Sequence, residues 1–180
     1  MQLPHTSASW WIEKQITRIG DASSWIWLVL LGIIVLNVVM RYLFGLGRIE
    51  FEEIQWHLYA AGFLLGLSYA SVSDAHVRVD VVREKLSAQL QAWIELYGIL
   101  LLLLPFITLV LYASVPFIAY SFSTSEISEA PAGLPYRWII KSFLAVGFIM
   151  LLMATLARLS RLWSFLFGWP TPLVSSDEAD

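Results

Sequence analysis

The sequence predicts an all-α membrane protein, with four transmembrane helices and a short N-terminal amphipathic helix lying in the interface. Three observations predict it. Hydrophobic residues make up 58% of the 180 residues and charged ones 14%, against about 45–50% and about 25% in an ordinary soluble domain. The apolar residues gather into runs near the roughly 20 residues that cross a hydrocarbon core. The chain also carries nine tryptophans. Trp25, Trp27, Trp56, Trp93, Trp138, Trp163 and Trp169 fall near the ends of those runs, where an amphipathic ring suits the headgroup region.

The elements follow in order. Residues 1–21 form a leader. Its stretch Trp10–Gly20 has no clean apolar core and no small-residue cleavage site, so it does not read as a signal peptide. Ile12, Ile16 and Ile19 share one helical face and Lys14, Gln15 and Arg18 lie elsewhere, the pattern of an interfacial helix. Residues 22–167 hold the four spans. The first runs from Ala22 to Phe44, with Asn37 as its one strongly polar side chain, expected to hydrogen-bond a neighbouring helix. A short loop, Gly45–Phe51, leads to the second span, Glu52–Ser73. Its Gly62, Gly66 and Ala70 form a small-xxx-small ladder, a candidate helix-packing interface because helices in lipid associate by close backbone approach. In Asp74–Gln91 the residues Asp74, His76, Arg78 and Asp80 alternate with Ala75, Val77, Val79 and Val81. That period of two predicts an extended piece, with Arg78 and Asp80 placed to pair within the loop. The third span, Trp93–Phe122, contains Pro105 and Pro116, so kinks are expected. Ser123–Pro135 is a turn-rich connector, and the fourth span runs from Tyr136 to Phe167. Residues 168–180, proline-bearing and acidic at the end, are expected to be disordered.

Lysines and arginines set the orientation. With the N-terminus inside, the cytoplasmic side holds Lys14, Arg18, Arg78, Arg83, Lys85, Arg158 and Arg161. The other side holds Arg41, Arg48, Arg137 and Lys141, offset by Glu50, Glu52, Glu53, Glu126 and Glu129. Both termini are therefore expected in the cytoplasm.

No constellation reads as a catalytic, cofactor or metal site. The chain has no cysteine and a formal net charge of -3, so thiolate chemistry is excluded and no basic stretch points to nucleic acid. Glu53 and His57, spaced i, i+4, share a helix face. They suit proton relay or cation binding, but a self-satisfied pair near the headgroups is the stronger reading. A membrane anchor of a respiratory redox enzyme would pair histidines on a haem. His57 and His76 bracket the second span and stand about 28 Å apart at 1.5 Å per residue, too far to share one iron. A proton-coupled exporter would need an acid inside the membrane, and Glu95, near the third span's entrance, reads as interfacial.

Certain pieces carry a family resemblance. Arg41-Tyr42-Leu43-Phe44 closes the first span, Glu52-Glu53-Ile54 opens the second, and Gly66 lies within it. His76-Val77-Arg78-Val79-Asp80-Val81 follows, and Gly133-Leu134-Pro135 precedes Tyr136-Arg137-Trp138. Their order and spacing, over about residues 20–160, resemble the small membrane (Q) subunit, DctQ-like, of the tripartite ATP-independent periplasmic (TRAP) transporters. The resemblance implies a bacterial inner-membrane subunit without cofactors. It implies two partners, a large membrane (M) subunit carrying substrate and sodium sites and a periplasmic substrate-binding (P) protein. It also implies sodium-driven secondary uptake of an organic acid, with the small subunit as scaffold. Arg48, Glu52, Glu53, Glu126 and Glu129 become candidates for docking the binding protein. Trp56-His57 departs from the family, where an arginine often stands at the first of these positions; this resembles a subgroup labelled for mannitol or chloroaromatic compounds and for 2-oxo acids.

Overall fold

The computed structural model describes residues 3–75 and 85–171, and all regular structure among them is helical. Helix α1 is Ser7–Ser23, α2 Trp25–Phe44 and α3 Ile49–Val72. Helix α4, Ala88–Gly98, passes through a π-helical stretch, Ile99–Leu103, into α5, Leu104–Ser123. Helix α6 is Arg137–Phe167. The last four residues of the polar stretch Asp74–Gln91 are helical: Ala88–Gln91 begins α4, because the Ser87 side chain accepts from the Leu90 amide at 3.3 Å and caps it. His76, Arg78 and Asp80, and the Arg78–Asp80 pairing, lie outside the described residues, as do residues 172–180.

Local chemistry sets the other boundaries. Thr6 and Ser9 form a reciprocal capping box that starts α1. Gly45 adopts φ +67° and ends α2, a left-handed conformation that glycine enters without a Cβ penalty. Proline at 105 lacks the amide that would bond the Leu101 carbonyl, and its ring would crowd that carbonyl in a regular helix. The π-helical stretch lies just before it, widening the helix there.

Helix α6 is the hub, packed against α1, α3 and α5. Ile16 of α1, Leu65 of α3 and Met150 and Ala154 of α6 form one core cluster. Ile107, Phe148 and Leu151 form a second between α5 and α6. Leu3, Ala92, Ile99 and Leu162 form a third, which seats the N-terminal segment between α4 and α6. Helices α3 and α6 approach backbone to side at Gly147, where a Cβ would lie 2.8 Å from the Leu64 carbonyl oxygen. Only hydrogen fits there.

Outside these clusters the molecule is apolar on its surface. Leu28, Leu31, Leu101, Leu102 and Leu109 are each more than half exposed. Exposed apolar area on this scale does not suit water, but it suits lipid. Among the described residues, three helical stretches are long and apolar enough to cross a membrane: Ser7–Phe44, Ala88–Ser123 and Arg137–Phe167. The sequence reading expects four. Helix α3 has 24 residues, a spanning length, but Glu50, Glu52, Glu53, Gln55 and His57 lower the hydropathy of its first half. Asn37 is buried as expected of a packing residue, yet its Oδ1 accepts no hydrogen bond within the described residues.

Candidate functional site

Chain direction puts polar groups at two ends of the bundle. Helix α1, the end of α3, the start of α4 and the end of α6 share one end. The α2–α3 loop and the α5–α6 loop share the other.

At the α1 end, two arginines of α6 act as ties. Arg158 donates from Nε to Glu95 of α4 at 2.6 Å, and its Nη1 lies 3.7 Å from Asp74 at the end of α3. One turn on, Arg161 Nη1 donates to Glu13 at 3.1 Å and Nη2 to the Leu3 carbonyl at 2.8 Å. Glu13 also meets His5 at 3.2 Å. Thr6 and Ser160 share a hydrogen bond at 2.8 Å. Glu95 is therefore not simply interfacial; it is the counter-ion of Arg158. Sequence spacing does not reveal such pairs, because the partners stand 63 and 148 residues apart. The usable signal was an arginine in a long apolar helix, which requires an internal partner.

At the opposite end, Glu53 engages both carboxylate oxygens on the α5–α6 loop. Ser128 Oγ donates to Oε1, and the Leu134 amide donates to Oε2 at 2.6 Å. This pins the turn into α6, where Tyr136 sits at φ +63°, an uncommon conformation for a bulky residue. His57 lies one turn beyond Glu53 and lines an apolar cavity of about 440 Å³ with Ile54, Leu58, Leu134, Tyr136 and Phe143. Glu52 is ion-paired with Arg41. Glu126 is ion-paired with Lys141, and Arg137 lies 3.7 Å from it. The Lys141 ammonium, donating to the Glu126 carboxylate, holds that carboxyl below its ordinary range. Arg48 and Glu129 are exposed, so the five docking candidates divide into two open side chains and three engaged within the chain.

The glycine ladder divides as well. A Cβ on Gly62 would meet the Trp27 ring at 3.1 Å, so Gly62 lets α2 approach α3. A Cβ on Gly66 would meet nothing within 4 Å, and Ala70 is half-buried. A Cβ on Gly147 would meet the Leu64 backbone, and small-xxx-small spacing does not single this residue out because it stands alone in α6.

A second cavity, about 400 Å³, opens beside the π-helical stretch and is lined by Leu67, Ser71, Glu95, Thr155 and Arg158 among others. Among the described residues no three His, Asp or Glu side chains gather as a metal site. The charges bind one element to another.

These features define a helical membrane protein whose polar side chains act as ties between elements. A family model described as the DctQ component of tripartite ATP-independent periplasmic transporters matches residues 30–165. The chain belongs to that family and is thus a component of a TRAP transporter, as the sequence motifs indicate. No curated protein sequence gives a significant match.

Proposed function

We propose that this chain is the small scaffold subunit of a sodium-coupled, binding-protein-dependent secondary transporter for organic acids. In this reading α2, α3, α4–α5 and α6 each cross the bacterial inner membrane, α1 lies in the cytoplasmic interface, and both termini are cytoplasmic. The large subunit holds the substrate and sodium sites. The observation that carries the reading is the distribution of charge. Ion pairs sit at the two ends of the bundle, and apolar clusters around Leu65, Ile107 and Phe148 fill its middle. Such an interior gives a carboxylate substrate no path, but makes a stiff body for another subunit to lean on.

Gly66 lines a cavity of about 260 Å³ with Gly20, Trp27, Gly62 and Tyr69; this unfilled Gly66–Ala70 stretch of α3 is a candidate contact for the large subunit, since close backbone approach favours association in lipid. Arg48 and Glu129 are the candidates with free side chains for docking the binding protein. The test is co-expression with the large subunit followed by reconstitution. Co-purification, and uptake that requires sodium and the binding protein, are expected. Substrate transport by this chain alone in proteoliposomes would overturn the proposal.

A further inference from the structure

Helix α1 sorts its charges by face. Its inner face buries Ser9, Ile16 and Gly20 against the bundle. Glu13 is on that side too, with a side chain 14% exposed, ion-paired with Arg161 and in contact with His5. The outer face exposes Trp10, Trp11, Lys14 and Arg18. The Lys14 ammonium sits 4.4 Å from the centre of the Trp10 ring, one turn away. The exposed acid of this helix is Asp21 at its far end, where it accepts from the Tyr69 hydroxyl at 3.3 Å. The chain as a whole carries a formal charge of -3, so acids outnumber bases. A basic outer face on α1 is the result of drawing Glu13 inward.

We infer that this outer face binds the headgroups of anionic phospholipids, resting on the proposed placement of α1 in the interface. The indoles of Trp10 and Trp11 suit the boundary between headgroups and acyl chains. Lys14 and Arg18, one turn apart on the same face, reach phosphodiester oxygens from there. The surrounding surface continues the same environment, with Trp25, Trp163 and Trp169 exposed at this end of the bundle. Helix α1 cannot swing away to follow the lipid. Leu3, Thr6 and Glu13 tie it to α6.

The test uses the full chain in neutral detergent micelles, titrated with phosphatidylglycerol or phosphatidylcholine and read by native mass spectrometry. Each basic side chain near an anionic surface contributes about 1 kcal/mol, so two give a preference of roughly ten- to thirty-fold for phosphatidylglycerol. The K14Q/R18Q double variant should lose most of it, K14R/R18K should keep it, and 0.5 M salt should weaken it. Equal binding of the two lipids by the unaltered chain would overturn the inference, as would a preference that survives in K14Q/R18Q. Because the chain has no cysteine, a single spin label at Ala8→Cys separates this from the placement it rests on. A label at interfacial depth, with no lipid preference, sinks the lipid site alone. A label in water sinks the placement as well.

Discussion

The two ends of the bundle hold themselves together in different ways. At the α1 end the ties join helix to helix: Arg158 to Glu95, Arg161 to Glu13, Thr6 to Ser160. At the other end a helix holds a loop, with Glu53 gripping Ser128 and the Leu134 amide, and Lys141 gripping Glu126. The first pattern fixes the relative positions of α1, α4 and α6. The second fixes the shape of one connector and leaves Arg48, Glu129 and Trp56 open around it. One end is built as a brace and the other as a shaped surface. Substitutions should therefore unfold the molecule from the brace end and alter recognition from the loop end.

The largest effect is expected at neither end but between them. Gly147→Leu puts a branched side chain where a Cβ already meets the Leu64 backbone, so α3 and α6 must part and folding should fail. Gly147→Ala should cost about 1–3 kcal/mol, the usual range for overpacking, read by thermal unfolding in detergent. Gly66→Leu should leave the isolated chain's melting point unchanged and weaken assembly with the large subunit. A melting loss for Gly66→Leu equal to that for Gly147→Ala would contradict the packing described.

Next comes the brace. Arg158→Ala strands Glu95, whose side chain is 21% exposed. Breaking a buried pair on one side costs about 3–5 kcal/mol, and partial exposure brings the expectation to about 2 kcal/mol. The Arg158→Ala/Glu95→Gln double variant should recover part of that loss. Double and single variants that melt alike would show that the ion pair is not the tie.

The loop end should respond less in stability and more in local order. Glu53→Ala removes two hydrogen bonds at about 1 kcal/mol each. Its signature should be faster amide exchange at Leu134 and quicker proteolysis within residues 124–136, with little change at α1. Uniform loosening of the whole chain would count against a local latch.

The smallest effect is a pH response. Lys141 depresses the Glu126 carboxyl. Its contribution is therefore fully present above the ordinary carboxylate range and is lost as pH falls through the lowered value. Loop order should hold at neutral pH and fall in acid, and Glu126→Gln should flatten that acid limb of the profile. An acid response unchanged in Glu126→Gln would assign it to another group.

The sequence alone determined the helical membrane class, the positions of most helices, and the family. These depend on apolar run length, on Gly, Pro and Ser boundary chemistry, and on motifs such as Glu52-Glu53-Ile54, all of which are local along the chain. The helix that opens the third span starts at Ala88, ahead of the expected Trp93, because the Ser87 side chain caps it. The tertiary structure alone decided which charges meet. Glu13 and Glu95 look like headgroup-level acids until chain reversal brings Arg161 and Arg158 beside them. It also decided which glycine matters most. Gly62 and Gly66 look equivalent by spacing, yet a Cβ on one would meet Trp27 and on the other nothing, while the solitary Gly147 lies against the Leu64 backbone. Pairing across 63 or 148 residues, and the distance between two helix backbones, follow from how the helices cross. Periodicity within a single helix holds no record of that crossing.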